Sequence, residues 1–293
     1  MDRALRQPQE TPGEPARWGA PHAPLAARRL DALTLASRFP WLYLGGASGL
    51  VFLFLPIFMV ILFSFNTGRT TRFPIQGLTL DWYDKVLHDG VVLQATRASI
   101  EVGIGTMLLS ALLGVPAALA LTRHRLRGRS LLSALFVLPV AVPTLILAVA
   151  LLTLLSTLKL PLSLGTVVIG HTVYCVPLMF LIVRARLLDM DRFVEEAARD
   201  LGASPWQTFW TVTFPLVRSA IFGAMLLVFA QSFDMFVVTL FTIGPQSTLP
   251  LVVWGMVRTG IDPSINAISA ILIGLTALML TIASRFTRLA VEV

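Results

Sequence analysis

Six long apolar stretches constrain the fold of this chain more than any other feature of its sequence. A helix needs about 20 apolar residues to cross the hydrocarbon core of a bilayer, and each stretch has or approaches that length. The predicted spans cover roughly residues 41–65, 97–121, 130–157, 164–184, 217–241 and 265–287. The sequence therefore predicts an all-α membrane protein with six transmembrane helices.

The composition and the distribution of charge agree with a membrane protein. Only 13% of the 293 residues are charged, against about 25% in soluble domains. The net charge of +7 would suit a nucleic-acid partner, but the basic residues are scattered between the apolar stretches. With the N-terminus placed in the cytoplasm, 17 of the 23 basic residues fall on the cytoplasmic side and six fall outside. The positive-inside rule therefore predicts cytoplasmic termini, and no nucleic-acid partner is expected.

The first 40 residues differ in composition from the rest of the chain. They are rich in proline, alanine and arginine, and they lack the apolar run and the small-residue cleavage site of a secretory signal. We therefore predict a disordered, basic cytoplasmic tail over 1–40 and a six-span domain over 41–290.

A more polar segment, residues 191–216, separates the fourth and fifth predicted spans on the predicted cytoplasmic side. Apolar residues recur in it at i, i+3, i+4 and i+7, which predicts a helix with one apolar stripe. The residues of this stripe are Val194, Ala197, Ala198 and Leu201. The two alanines keep it thin enough for another surface to approach closely. Glu195 and Arg199 are spaced i, i+4 and are predicted to lie on a more polar face.

The same segment contains the signals that end one helix and begin another. Gly202 can take the left-handed conformation that ends a helix. Ser204 is a capping residue, Pro205 suits the first helical position, and Gln207 stands three residues after the cap. Pro215 is predicted to mark the turn toward the fifth span. The sequence therefore predicts two helices joined by a glycine corner.

Pattern alone leaves two functions open for this helix pair. It suits a rigid lever that docks into a groove of a partner protein. It equally suits an amphipathic loop that lies on lipid, with Trp206 and Trp210 at the headgroups.

The segment resembles the cytoplasmic loop of ABC importer permeases, whose pattern is EAA, then Gly four residues later, then I-x-L-P after nine more. Here "EAARDLG" matches the first part and "VTFP" the second, with conservative replacements at two positions. In that family the loop forms a coupling helix that enters a cleft on the ATP-binding subunit. The resemblance implies a type I importer permease fold with such a coupling helix. It also implies a coupling role for seven residues, which are Glu195, Glu196, Ala197, Ala198, Gly202, Ser204 and Pro205.

The likeness extends over roughly residues 41–290 and points to one branch of the family. "FSFNTG", "GLTLDWYDKVL" and the stretch from Ser232 to Ser269 resemble the second permease subunit of spermidine/putrescine-type importers. The resemblance thus implies a polyamine or a related small solute as cargo, in the inner membrane of a bacterium. It implies as partners a homologous sister permease, two copies of an ATP-binding subunit that hold ATP and magnesium, and an extracytoplasmic solute-binding protein. No cofactor is expected on this chain itself.

Few polar residues occur within the predicted spans. Asp234 lies in the fifth, where a carboxylate is costly and usually faces the protein interior or a watery cavity. Ser232, Phe233 and Asp234 are therefore candidates for the translocation pathway, and a purely structural carboxylate is the alternative. Glu101 is predicted to be wet at the outer end of the second span, and His171 is predicted to be a satisfied core histidine.

Catalytic motifs are absent from the sequence. It contains no G-x-x-x-x-G-K-[ST] phosphate loop, no H-E-x-x-H helix and no G-x-S-x-G turn. One cysteine, Cys175, and four dispersed histidines give no reason to expect a metal site. ATP hydrolysis is therefore expected on a separate subunit. The rival functions are a secondary transporter built from inverted repeats and a membrane-embedded enzyme, both of which would work without an ATPase.

Overall fold

The computed structural model describes residues 40–68, 73–124, 126–259 and 262–289. The chain divides into two compact units, Met1–Ile57 and Phe58–Val293. In chain order the helices are α1 (Pro40–Phe63), α2 (Asp81–His88), α3 (Gly90–Arg123), α4 (Arg129–Ala141), α5 (Thr144–Thr157), α6 (Leu164–Asp189), α7 (Phe193–Asp200), α8 (Pro205–Phe233), α9 (Phe236–Thr242), α10 (Leu249–Thr259) and α11 (Ser264–Leu289). The predicted tail over 1–40 lies outside the described residues, apart from its last position.

The helices agree with the predicted number of spans. Among the described residues, five helices are long and apolar enough to cross a membrane, and α4 and α5 supply a sixth span if the bent pair is counted as one. The five are α1, α3, α6, α8 and α11. The six predicted apolar stretches thus correspond to six helical segments, with differences in the third and the fifth.

The third predicted span, 130–157, is a pair of helices bent by 103°. α4 ends at Ala141, Val142 takes an extended conformation, and Pro143 precedes the first residue of α5. A residue before proline is disfavoured in the helical region, and proline has no N–H to donate to the preceding turn. Pro143 therefore breaks the segment, whereas Pro139 stays inside α4. The segment is a broken pair rather than the single span that we predicted.

The fifth predicted span, 217–241, also needs correction. The helix α8 begins at Pro205, well before the predicted start, and ends at Phe233. Asp234 and Met235 separate it from the short helix α9. The carboxylate of Asp234 is therefore attached to the end of a helix and not to the interior of one.

The centre of the second unit is α6, the most buried of the long helices, which packs against α3 and α8. Its residues Met179, Phe180 and Val183 are fully buried. A Cβ atom added at Gly114 of α3 would lie only 2.7 Å from the Cγ atom of Met179. Since small residues let membrane helices approach closely, Gly114 permits the close contact between α3 and α6.

One end of the helix bundle is formed by the last residues of α3 and α6 and the first turns of α8, with α7 between them. The side chain of Arg123, the last residue of α3, contacts α7. The Nε atom of Arg186, near the end of α6, donates to the carbonyl of Leu216 in α8 at 3.3 Å. This end of the bundle, called the α7 end below, contains the segment that the sequence singled out.

Candidate functional site

The start of helix α7 is stabilised by a local hydrogen bond from a residue just before it and by two acidic residues in its first turn. The carboxylate of Asp191 accepts a hydrogen bond from the N–H of Phe193 at 3.0 Å. Glu195 and Glu196 lie in the first turn, where negative charge complements the helix dipole. These contacts explain why eight residues form a helix here, although such a short helix is marginal alone in water.

The corner after α7 has the predicted glycine. Gly202 has φ +91°, in the left-handed region that favours glycine. Its N–H bonds to the carbonyl of Arg199 at 2.9 Å, and the N–H of Ala203 bonds to the carbonyl of Ala198 at 3.1 Å. This pair of bonds is the Schellman motif, which closes the end of a helix. The prediction that Gly202 ends the helix is confirmed.

The start of α8 has the predicted capping box. The hydroxyl of Ser204 accepts a hydrogen bond from the N–H of Gln207 at 3.3 Å, and the Gln207 side chain accepts one from the N–H of Ser204 at 2.9 Å. Pro205 occupies the first position of the helix. Only two residues, Ala203 and Ser204, separate the closed C-cap turn of α7 at Gly202 from the first residue of α8, so the corner is held at both ends.

The predicted turn at Pro215 is wrong, because α8 continues through it to Phe233. Residues Phe209–Thr213 form a wider π-helical segment, in which the N–H of Phe214 bonds to the carbonyl of Phe209. Pro215 follows after one further residue and has no N–H to donate to the preceding turn. The wider segment thus lies in the turn before the residue that would otherwise strain the helix.

Glu195 lies on the buried face of α7, so our prediction of a polar face for it is wrong. It is only 6% exposed. Its Oε2 atom lies 2.9 Å from the Nε atom of Arg123. Its Oε1 atom accepts a hydrogen bond from the hydroxyl of Thr213 at 2.7 Å. Sequence reasoning missed Arg123 as a partner because the two residues belong to different helices and share no local spacing.

A second contact joins the segment to the end of α3. The Nη2 atom of Arg192 donates a hydrogen bond to the backbone carbonyl of Thr122 at 2.7 Å. The last four carbonyls of a helix have no partner within that helix, so Arg192 satisfies one of them. Arg192 and Glu195 therefore hold the start of α7 against the last turn of α3.

The predicted apolar stripe of α7 is largely uncovered in this chain. Val194 is exposed and Leu201 is 90% exposed. Ala197 is exposed and Ala198 is partly buried. A face of this kind, with small residues in its middle, can receive another protein surface closely.

The predicted coupling residues come together at this corner, with one exception. Exposed or partly buried positions are Glu196, Ala197, Ala198, Gly202, Ser204 and Pro205. Glu195 is the exception, since its carboxylate is turned into the bundle. The corner can therefore act as a rigid docking surface, and Glu195 contributes to holding it rather than to its exposed face.

The three candidates for the translocation pathway do not share one face. Ser232 and Phe233 are buried within the chain, whereas Asp234 is exposed at the end of α8. Of the three, the structure leaves Asp234 available to a neighbouring surface or to water.

His171 is the hydrogen-bond partner of the buried Ser232 hydroxyl. Its ring is buried in α6, with Nδ1 lying 2.8 Å from the hydroxyl of Ser232 and Nε2 lying 2.8 Å from that of Thr239. The Thr239 hydroxyl donates to the carbonyl of Met235 at 2.6 Å, so it accepts from Nε2, and Nδ1 accepts from Ser232. The prediction of a satisfied core histidine is confirmed.

Near the opposite end of the bundle, α3 borders a cavity of about 530 Å³. Glu101 and Arg97 line it together with Gln94 and Gln246. The Nε atom of Arg97 lies 2.8 Å from the Oε1 atom of Glu101, and Arg97 is highly exposed. The Glu101 carboxylate, which the sequence predicts to be in contact with water, is therefore paired with Arg97 where both residues line the cavity.

Comparison with known proteins identifies the family of the chain. Residues 110–291 match the family described as "Binding-protein-dependent transport system inner membrane component". The chain is similar to the putrescine transport system permease protein PotI of Escherichia coli (strain K12), with 32% identity over 245 residues, which cover 81% of this chain and 87% of that protein. It is also similar to the spermidine/putrescine transport system permease protein PotC of the same strain, with 33% identity over 231 residues, which cover 78% and 86%.

A solved structure shows the same fold. The chain resembles one in the crystal structure of a bacterial alginate ABC transporter in complex with alginate pentasaccharide-bound periplasmic protein, with a TM-score of 0.63 and 15% identity over 87% of this chain and 96% of that chain. The fold is thus that of type I ABC importer permeases. Since the family match covers more than half of the sequence, the chain belongs to the inner membrane components of binding-protein-dependent transport systems.

Proposed function

We propose that this permease forms half of the translocation pathway of an ATP-driven polyamine importer in a bacterial inner membrane. The two relatives named above are permeases for putrescine and for spermidine and putrescine. The observation that carries the proposal is the similarity to them, which spans about four fifths of the chain. The exposed corner at the α7 end supports the ATP-driven mechanism.

The corner between α7 and α8 is the proposed docking site for an ATP-binding subunit. A coupling element must be rigid, exposed and attached to the spans, and the corner has all three properties. Its rigidity comes from the Schellman motif at Gly202 and from the capping box at Ser204. Its attachment is direct, because α8 runs from Pro205 to Phe233 as one helix. A displacement of the corner would therefore reach the end of α8 at Asp234.

The proposed complex contains four kinds of chain. One permease presents one corner, so a motor with two ATP-binding subunits requires a sister permease. An extracytoplasmic solute-binding protein delivers the solute, and the fold's solved relative is in complex with a periplasmic protein. ATP and magnesium belong to the ATP-binding subunits, where hydrolysis takes place. The bias of basic residues supports cytoplasmic termini and a cytoplasmic corner.

Asp234 is the proposed contact for a cationic solute. A carboxylate at membrane depth is costly unless it faces a partner or a watery cavity, and Asp234 is exposed in this chain. The positive charge of a polyamine complements it. A related solute is the alternative, because this fold also occurs in an importer of alginate, an acidic polysaccharide, and the fold alone does not specify the cargo.

The test is uptake of labelled putrescine and spermidine by vesicles that contain the permease, its sister, the ATP-binding subunit and the binding protein. We expect uptake that requires both ATP and the binding protein. ATP hydrolysis stimulated by the binding protein without polyamine uptake would retain the importer and reject the solute. Uptake that is indifferent to ATP would favour a secondary transporter and contradict the mechanism.

Substitution of Gly202 tests the docking corner. Gly202→Asp should abolish co-purification of the ATP-binding subunit, because it places a side chain and a charge at a left-handed position on the exposed corner. Gly202→Asn is the matched uncharged variant, since Asn tolerates this conformation better than most residues. It should retain most co-purification. Normal co-purification and transport by Gly202→Asp would contradict the coupling assignment.

A further inference from the structure

One buried carboxylate joins three separate helical elements at the α7 end. Glu195 belongs to α7, its Oε2 atom pairs with Arg123 at the end of α3, and its Oε1 atom accepts from Thr213 in the π-helical part of α8. The side chains of Glu195 and Arg123 are both about nine-tenths buried. These three residues are called the Glu195 clamp.

Each contact of the clamp fixes a different degree of freedom of α7. The ion pair sets the distance between α7 and α3. The bond from Thr213 sets the position of α7 relative to the first turns of α8. The bond from Arg192 to the carbonyl of Thr122 provides a second point of attachment to α3, so that rotation about the ion pair is also restricted.

A gain in folding stability does not by itself explain why Glu195 and Arg123 are buried as an ion pair. Desolvation of two buried charges can cancel their attraction, and apolar residues of similar volume often serve stability as well. A charged pair does, however, specify one register, since either partner is strongly disfavoured when it is buried alone. The bond to Thr213 falls within the π-helical segment, and π-helical turns are frequent at functional sites.

We propose that Glu195 and Arg123 are positioning residues that convert movement of α7 into joint movement of α3 and α8. The proposal rests on the proposed function, because it assumes that the corner receives the ATP-binding subunit. Without the clamp, α7 moves with α8 through the Gly202 corner but slips against α3. ATP hydrolysis then continues while solute transport falls.

The distinguishing measurement is the number of solute molecules imported per ATP hydrolysed. Glu195→Gln keeps the shape of the side chain and removes its charge, and we expect this ratio to fall at least tenfold while the ATP-binding subunit still co-purifies. Asp200→Asn is the matched control, because Asp200 is an exposed carboxylate of the same helix and is not one of the predicted coupling residues. It should leave the ratio within about twofold of wild type.

Exchange of the two charges provides a rescue. In the double variant Arg123→Glu, Glu195→Arg, the number of solute molecules imported per ATP should be at least threefold higher than in Glu195→Gln, because the ion pair is restored with its charges exchanged. Thr213→Val removes the hydrogen bond but leaves the ion pair, and it should lower the ratio by about twofold to fivefold. It also serves as the gentler variant if the charge variants fail to accumulate in the membrane.

The outcomes separate the two proposals. Absence of ATP-dependent uptake by the wild type would reject the proposed function. Normal coupling ratios in Glu195→Gln, or in Thr213→Val where Glu195→Gln fails to accumulate, would reject the clamp and leave the importer intact. Parallel loss of assembly, hydrolysis and uptake in both variants would also reject it, since that result identifies a purely structural contact.

Discussion

The chain buries polar side chains in two contrasting regions. At the α7 end, Glu195 and Arg123 are buried as a charged pair. Within the bundle, His171 is bonded through its two ring nitrogens to the hydroxyls of Ser232 and Thr239. Both clusters involve α8, near its two ends.

The difference between the clusters follows their depth in the fold. The charged pair lies at one end of the bundle, where α3 ends, and each of its buried charges has an oppositely charged partner. The imidazole lies in the first third of α6, and its two hydrogen-bond partners are hydroxyls, each of which can donate or accept. The buried cluster at the α7 end is therefore held by an ion pair, whereas the cluster within the bundle is held by uncharged groups. Four substitutions test that comparison, from the largest expected effect to the smallest, and a fifth prediction gives the pH dependence of the last one.

Removal of one charge from the α7 end should have the largest effect. Arg123→Leu leaves the carboxylate of Glu195 buried without its cation, so we expect the free energy of unfolding to fall by about 3–5 kcal/mol. The double variant Arg123→Leu, Glu195→Leu should unfold close to wild type, because no charge remains buried. Denaturant unfolding in detergent micelles measures both. An equal loss in single and double variants would show that packing, and not charge, dominates here.

The neutral cluster should respond more weakly. His171→Leu removes both bonds of the imidazole, and hydrogen bonds between membrane helices average about 0.6 kcal/mol with a maximum near 1.7. We therefore expect a loss of about 1–2 kcal/mol in the same unfolding measurement. Ser232→Ala, which removes one of the two bonds, should cost about half as much. A loss as large as that of Arg123→Leu would erase the distinction between the clusters.

An uncharged contact at the α7 end separates the effect of charge from that of position. Ser204→Ala removes the hydroxyl that caps α8, and loss of a cap typically costs about 1 kcal/mol. Thr211→Ala is the control, because the hydroxyl of Thr211 only returns a bond to the carbonyl of Gln207 in the preceding turn. Its unfolding free energy should change by less than about 0.5 kcal/mol. Equal effects of the two substitutions would argue against a role for the cap.

A charged but exposed pair should have the smallest effect. The Nζ atom of Lys85 lies 2.7 Å from the Oδ2 atom of Asp262, and both side chains are exposed. Lys85→Ala should therefore lower the unfolding free energy by about 0–1 kcal/mol. A loss above about 2 kcal/mol would show that charge matters in this protein even without burial.

The pH dependence of that pair has a defined sign. Partial burial alone would raise the pKa of Asp262, but hydrogen bonds from Lys85 and Ser264 lower it to about 2. A carboxylate with a lowered pKa stabilises the fold at pH values above its unfolded pKa of about 4. The difference between wild type and Lys85→Ala should therefore stay constant above pH 4 and vanish as the pH falls toward 2.

The sequence by itself determined the features that depend on near neighbours. The glycine at 202 and the capping box of Ser204 and Gln207 are recognisable because their hydrogen bonds join residues that lie within five positions of one another. The six apolar stretches are recognisable because a bilayer requires a minimum length of helix. Even here, the sequence did not show which proline of the third stretch breaks the helix. Pro139 stays inside a helix, and only Pro143 breaks it.

The tertiary structure alone decided which polar residues meet. Glu195 has the spacing of an exposed ion pair with Arg199, yet it is buried against Arg123, which belongs to another helix. Ser232 lies two residues before the candidate residue Asp234, yet its hydroxyl is directed to His171. No local pattern encodes such partners, because a side chain's partner across helices depends on how whole helices are rotated and spaced. That rotation is set by the packing of α3, α6 and α8, including the close approach at Gly114.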